Sequence, residues 1–284
     1  MQKENILISA EDLNKKIDHP DVRVIDTRFS LFDPEEGEKA YDNSHIPNAV
    51  YANLNKDLAS KITKSSGRHP LPNVNELAKL FSFWGISKST HVIVYDAFNS
   101  AIAARLWWLL RWLGHNKVSV LNGGFEAWLR FNYKTNSDVP TFTIGNFKGK
   151  GDKDLILETN MICDWIHNKI PYILVDARDI ERYRGINEPI DKVAGHIPNA
   201  INVPFTDFIN KKDGTWKPIN AINKIWEKAG ICSHDEWGVM CGSGVTACHL
   251  SISAMLTGMK EPFLYVGSWS EWIRNNKRPI STNE

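Results

Sequence analysis

The chain states its architecture twice. Asp26-Thr-Arg28 returns as Asp176-Ala-Arg178, 150 positions later, and His45-Ile-Pro-Asn-Ala49 returns as His196-Ile-Pro-Asn-Ala200, 151 positions later. Trp84-Gly-Ile86 corresponds to Ala229-Gly-Ile231, and the apolar run Val92-Ile-Val-Tyr95-Asp96 to Trp237-Gly-Val-Met240-Cys241. Leu121-Asn-Gly-Gly-Phe-Glu-Ala-Trp128 then aligns with Tyr265-Val-Gly-Ser-Trp-Ser-Glu-Trp272, 144 positions on. Blocks in one order at offsets this large mean a duplicated domain, because a solenoid would repeat every few tens of residues. Within each copy, short β-branched runs alternate with helical patterns, which specifies α/β domains built on a parallel β-sheet flanked by helices. Residues 139–154, rich in Gly, Lys and Asp and without periodicity, are expected to link a first domain (1–138) to a second (155–284).

Bulk properties narrow the function. With 42% hydrophobic and 24% charged residues, the 284-residue chain has the composition of a globular protein. A net charge of +1 argues against a nucleic-acid footprint. The longest apolar segment, Ala101–Leu113, is broken by Arg105 and Arg111 and falls short of the ~18 apolar residues of a membrane span. Without a signal-peptide pattern at the start, the expected location is cytoplasmic and no membrane partner is expected. The four cysteines, Cys163, Cys232, Cys241 and Cys248, form neither a disulfide framework nor zinc-ligand spacing. Cys232 with His234 is a pair lacking a second half, so no metal is expected.

In an open parallel sheet, ligands bind beyond the carboxyl ends of the strands. Asp96 and Cys241 occupy that place in the two copies. The first copy continues Ala-Phe-Asn-Ser, with neither thiol nor glycine; the second reads Cys241-Gly242-Ser243-Gly244-Val245-Thr246. The chemistry is therefore expected in the second domain. A cysteine is nucleophilic as its thiolate, the form favoured by helix N-termini and nearby cations. Gly242 and Gly244 allow backbone N–H groups to converge on one point, and the hydroxyls of Ser243 and Thr246 add donors. Together they form a cradle suited to a thiolate or a persulfide anion.

The ordered set of Asp-x-Arg, Gly195-His-Ile-Pro-Asn-Ala200, Cys241-Gly-Ser-Gly-Val-Thr246 and Gly267-Ser-Trp269 resembles the two-domain rhodanese family over essentially the full chain. The neutral Gly242 and Ser243 resemble its 3-mercaptopyruvate branch, because the thiosulfate-using vertebrate-type branch carries basic residues there. Cysteine phosphatases use a similar loop but clamp phosphate with an Arg six positions after the cysteine. That position is Ala247 here, so phosphatase chemistry is set aside.

The resemblance implies a persulfide on Cys241, a small anionic sulfur donor, a thiol acceptor such as thioredoxin or a low-molecular-weight thiol, and no cofactor. It places Arg182 at the donor, with Arg184 a second candidate, while Arg178 is expected to pair with Asp176 or a neighbouring loop as a structural clamp. It further implies a relay of Ser243 with His69 and an Asp of the first domain. The residue matching that Asp is Asn55, which cannot stabilise an imidazolium as a carboxylate does. Either Asp57 serves, or the relay is incomplete. The branch's further Arg after Glu188-Pro189 is also missing, replaced by Ile190-Asp191, and Lys192 is a weak substitute. Three readings stay open: a 3-mercaptopyruvate sulfurtransferase, a thiosulfate sulfurtransferase, and a non-catalytic sulfur carrier or protein-interaction module. His45 and His196, present in both copies, are expected to be structural, as are Trp84, Trp107, Trp108, Trp112, Trp128, Trp226, Trp269 and Trp272.

Overall fold

The computed structural model describes residues 5–232 and 236–282, which leaves His234 outside the described residues. The chain folds as two compact units. One comprises the residues up to Ser60 with Pro72–Asp152 and Ile209–Trp216; the other comprises Lys61–Leu71, Lys153–Phe208 and the residues from Lys217 on. Residues 61–71 thus belong with the second half of the sequence, which puts His69 in the same unit as Cys241.

The first unit runs β1 (Leu7–Ile8), α1 (Ala10–Asn14), β2 (Val22–Asp26), α2 (Glu36–Asn43), β3 (Ala49–Tyr51), α3 (Val74–Phe83), β4 (His91–Tyr95), α4 (Ala103–Trp112), β5 (Val118–Leu121) and α5 (Gly124–Arg130). Its five strands are all parallel, in the order β1-β5-β4-β2-β3. The second unit has α6 (Thr159–His167), β6 (Ile173–Asp176), α7 (Ile180–Arg184), β7 (Ile201–Asn202), α8 (Ile219–Lys228), β8 (Trp237–Met240), α9 (Ala247–Leu256), β9 (Phe263–Leu264) and α10 (Ser268–Trp272). Its sheet is also parallel, in the order β7-β6-β8-β9. Read from the other edge, β9-β8-β6-β7 repeats β5-β4-β2-β3. The place of β1 is taken by a single parallel bridge, Ile156 to Leu264. The duplication in the sequence is therefore a duplication of sheet topology.

The central strands read as unbroken apolar runs because helices cover both faces of the sheet. Residues Val92–Tyr95 of β4 and Trp237–Met240 of β8 are all buried. Helix α4 carries apolar side chains all round and is buried along nearly its whole length, as a helix without a polar face must be. Helix α9 is likewise buried from Ala247 to Ala254. By contrast, α3 and α8 bury only i,i+4 pairs, Leu77 with Phe81 and Ile222 with Trp226. All eight tryptophans named above are buried. The irregular segment 139–152 lies against the first unit: Phe147 is buried edge-on to Phe81, and Phe142 stacks under Arg23.

The repeated motifs do the same structural work in each copy. Arg28 grips Asp26 through Nε and Nη2 and donates to the Ser44 carbonyl. Arg178 grips Asp176 in the same way and donates to the Gly195 carbonyl. His45 stacks on Tyr41 at 3.9 Å and His196 on Tyr183 at 3.8 Å, and each ring bonds through Nδ1 to that tyrosine's carbonyl at 2.8 Å. Burial lowers the pKa of His196, keeping this packed imidazole neutral.

Among the described residues no helix is long and apolar enough to cross a membrane.

Candidate active site

Cys241 follows directly on β8, a central strand, and α9 begins six residues later at Ala247. The loop between them is held from outside. The Cys241 N–H donates to Ser268 Oγ at 3.1 Å, and Ser268 Oγ donates to the Tyr265 carbonyl at 2.8 Å. Trp269 N–H donates to the Cys241 carbonyl at 3.0 Å and Ser270 N–H to the Gly242 carbonyl at 2.9 Å, while Cys248 Sγ lies 3.4 Å from the Gly244 carbonyl. In a planar trans peptide the N–H points opposite to the C=O. Turning the carbonyls of 241, 242 and 244 toward these partners therefore turns the N–H groups of Gly242, Ser243 and Val245 to the other side. Gly244 is held at φ 75°, and a Cβ there would stand 2.4 Å from the Val266 carbonyl oxygen, so only glycine fits. Thr246, the N-cap of α9, makes no side-chain capping bond, which leaves the positive end of this ten-residue helix open toward the loop.

The first unit shows what this loop architecture accommodates. Asp96, at the matching end of β4, receives four backbone N–H groups: Phe98 and Ser100 at Oδ1 (3.2 and 3.0 Å), Ile102 and Ala103 at Oδ2 (2.8 and 3.2 Å). A strand-end anion is wrapped by the loop and the first turn of the helix, with the carboxylate built into the chain. Burial nevertheless raises the Asp96 pKa, outweighing these four bonds.

Around Cys241, which is 2% exposed, the structure assembles residues from three stretches of sequence. Ser243 Oγ and His69 Nδ1 share a 2.7 Å hydrogen bond, at 7% and 5% exposure. Arg182 donates from Nε to both oxygens of Glu188 at 2.9 Å and from Nη2 to Asp191 Oδ2 at 3.1 Å. Its guanidinium stands beside the cysteine loop: a Cβ on Gly242 would lie 3.4 Å from Nη2 and 3.6 Å from Nη1. Arg184, two residues on, falls about 200° round the helix and is exposed, apart from this cluster. Arg178, besides gripping Asp176, reaches Glu188 at 3.4 Å.

Asn55 and Asp57 lie in the first unit and are tied into their own turn. The N–H of Asn55 donates to Asn53 Oδ1 at 2.9 Å, and Asp57 Oδ2 accepts the Asn53 N–H at 2.7 Å. Burial raises the pKa of Asp57.

Two residues that sequence reasoning passed over also enter the site. Arg68 pairs through Nη1 with Asp191 Oδ1, and its Nη2 lies 2.9 Å from where a Gly242 Cβ would be. Asp191 thereby bridges Arg68 and Arg182, and burial raises its pKa against the pull of both cations. The available signal was adjacency: Arg68 precedes His69, and Asp191 falls in the loop where the second cation was sought.

A family model for the rhodanese-like domain matches residues 9–131 and again 163–275. The chain is 39% identical to a probable 3-mercaptopyruvate sulfurtransferase of Pseudomonas aeruginosa over 282 residues, 98% of either chain. It is 35% identical to a putative thiosulfate sulfurtransferase of Mycobacterium tuberculosis, covering 97% of this chain and 96% of that one. Among solved structures, the 3-mercaptopyruvate sulfurtransferase of Leishmania major superposes with a TM-score of 0.84 at 27% identity, covering 98% of this chain and 77% of that one. The crystal structure of SseA from Escherichia coli superposes with a TM-score of 0.82 at 28% identity, covering 94% and 99%. With two matched domains, the same sheet order in both and relatives aligned end to end, the chain belongs to the rhodanese family and is a two-domain sulfurtransferase.

Proposed function

We propose that the chain transfers sulfur from 3-mercaptopyruvate to a thiol through a persulfide on Cys241. The Cys241 thiolate attacks the donor's sulfur and the donor's C–S bond breaks. Its electron pair passes to the departing carbon as the enolate of pyruvate, and a proton delivered there completes pyruvate. An acceptor thiolate, from thioredoxin or a low-molecular-weight thiol, then attacks the outer sulfur and regenerates Cys241. The cycle is ping-pong and needs neither metal nor organic cofactor. Backbone N–H groups of residues 242–246 hold the anionic sulfur, Arg182 holds the donor's carboxylate, and Ser243 with His69 conveys the proton.

The observation that carries this reading is the 2.7 Å Ser243–His69 bond beside Cys241. A proton relay serves a donor that leaves as a carbanion equivalent, and it is superfluous for one that leaves as sulfite. The names of the Pseudomonas and Leishmania relatives support the same donor. Thiosulfate is the second reading, favoured by the name of the Mycobacterium relative and by two guanidinium groups at Gly242 that suit any anion.

Intact-mass spectrometry after treatment with each donor tests the mechanism. The mass of one sulfur atom should be gained by the wild type and not by Cys241→Ser. Equal gain in both proteins, or no gain with either donor, rules out the persulfide enzyme and leaves a carrier or interaction module. Comparison of kcat/KM for the two donors decides between them, and a large preference for thiosulfate overturns the first reading.

A further inference from the structure

We propose that Ser268 is a positioning residue that aims the Cys241 thiol, a serine held in a backbone conformation that the other copy of the domain gives to glycine. The proposal rests on Cys241 being the sulfur-accepting nucleophile and deepens that reading by naming what fixes its direction.

The duplication supplies the comparison. Trp269 N–H donates to the Cys241 carbonyl and Ser270 N–H to the Gly242 carbonyl, just as Phe125 N–H donates to the Asp96 carbonyl at 2.8 Å and Glu126 N–H to the Ala97 carbonyl at 3.1 Å. The residue before each pair is therefore equivalent: Ser268 in the second unit, Gly124 in the first. Both have left-handed backbones, at φ 52° and φ 60°. Glycine adopts that conformation without steric cost, whereas the Cβ of an L-residue crowds its own following carbonyl. Asparagine tolerates it better than serine does, and stands at two other left-handed positions that the copies share, Asn48 and Asn199.

Strain of this kind persists where the surroundings enforce it, and it concentrates at functional sites. In the first unit a side chain has no room, because a Cβ on Gly124 would stand 2.5 Å from the Asp96 carbonyl oxygen. In the second unit the side chain is accommodated and its hydroxyl is used twice. Ser268 Oγ accepts the Cys241 N–H at 3.1 Å and donates to the Tyr265 carbonyl at 2.8 Å. Spanning a backbone N–H and a backbone C=O takes a group that both accepts and donates, as a hydroxyl does. Ser268 is fully buried, so water cannot stand in for it.

The consequence for the thiol is directional. The Met240 carbonyl accepts the Ala177 N–H at 2.8 Å, so with Ser268 the peptide plane entering Cys241 is held at both of its polar groups. The plane leaving Cys241 is held at its carbonyl by Trp269. The backbone has only two soft dihedrals per residue, and fixing both adjoining planes fixes both. The Cα–Cβ bond that carries Sγ then has one direction, on which aligned attack at the donor's sulfur depends. Without the hydroxyl, the entering plane keeps its carbonyl bond and its N–H is left unpaired in a buried place.

The test uses the full chain with Ser268→Gly and Ser268→Ala. Both remove the hydroxyl, and glycine also removes the strain. Sulfur loading of Cys241 is followed by intact mass in single turnover, over a range of concentrations of each donor that loads the wild type, and thermal unfolding is recorded for each protein. Both variants should load about 10- to 100-fold more slowly at saturating donor. The loss should be the same with 3-mercaptopyruvate as with thiosulfate, and the half-saturating donor concentration should stay at the wild-type value, because no donor-binding group is altered. Ser268→Gly should unfold within about 4 °C of the wild type, since relief of the left-handed backbone offsets the lost hydrogen bond. Wild-type loading rates in Ser268→Gly overturn the assignment. So do a loss carried by the half-saturating concentration, a loss confined to one donor, or a larger fall in the unfolding temperature of Ser268→Gly. If Ser268→Gly does not fold, Ser268→Ala decides by the same loading measurements; if neither folds, the hydroxyl holds the fold rather than the thiol, and the assignment falls. If the wild type loads sulfur from neither donor, the nucleophile reading fails and this one with it. If the wild type loads and Ser268→Gly matches it, only the Ser268 assignment fails.

Discussion

Replacing Ser243 by alanine separates the two candidate donors on chemical grounds. The hydroxyl shares a 2.7 Å bond with His69, and both residues are nearly buried, so water cannot readily take the place of the lost oxygen. With 3-mercaptopyruvate, the leaving fragment is an enolate that must be protonated as the new S–S bond forms. A positioned proton donor contributes roughly 10²–10⁴-fold. At the lower bound, loss of the relay raises the barrier by about 2.7 kcal/mol. With thiosulfate, the leaving group is sulfite, an anion stable without protonation, and the same substitution should change the rate no more than about threefold, within 0.7 kcal/mol or so. Stability should fall by only about 1 kcal/mol for one buried hydrogen bond, so thermal unfolding confirms that the variant is folded at assay temperature. The assay is kcat/KM with each donor, using one acceptor at saturating concentration. Equal losses with both donors would show that Ser243 shapes the loop rather than moving a proton. No loss with either would remove Ser243 and His69 from the mechanism.

Three further outcomes follow from the packing. Gly244→Ala puts an L-residue at φ 75° with its Cβ 2.4 Å from the Val266 oxygen; the left-handed conformation alone costs roughly 1–2 kcal/mol, so sulfur loading of Cys241, read by mass, should drop well below wild type, and unaltered loading would argue that the loop's carbonyl orientation is irrelevant. Asp96→Ala strands four backbone N–H groups, and urea unfolding should show a loss of about 3 kcal/mol or more; a loss below about 1 kcal/mol would mean that the loop re-pairs those groups. His91 has its pKa lowered, chiefly by burial, and bonds to Ser119 Oγ at 2.9 Å. The unfolded state therefore takes up a proton first as pH falls below the ordinary histidine value, and the stability His91 contributes is lost through that window. The stability advantage of wild type over His91→Asn should accordingly shrink between pH 7.5 and pH 5.5, and a constant or growing gap would contradict the neutral buried imidazole.

Much of this protein was legible in one dimension because its signals are local and repeat. Alternation of apolar strands with helical patterns, and their return about 150 residues later, led to two parallel sheets; the structure adds only that the strand orders coincide. The position of Cys241 was legible for the same reason, since a glycine-rich turn between a strand and a helix is a contiguous motif, and the structure puts Cys241 directly after β8. Its counterpart Asp96 could be placed at the same strand end, but the four N–H groups around its carboxylate could not, because loop backbone orientation has no periodicity to read.

The surroundings of the thiol were decided by tertiary structure. Arg182 and Arg184 lie two residues apart in the sequence, and helical rotation sends the first to the Cys241 loop and the second to solvent. Arg68 and His69 reach Gly242 and Ser243 only because residues 61–71 leave the first half of the sequence to pack with the second, where Asp191 pairs with Arg68. Contacts between side chains 174 positions apart follow from where the chain turns back, and a loop without repeating polarity carries no trace of that in its sequence. Sequence determined the strand-end loop on which Cys241 sits; the return of the 61–71 loop decided which charged groups surround it.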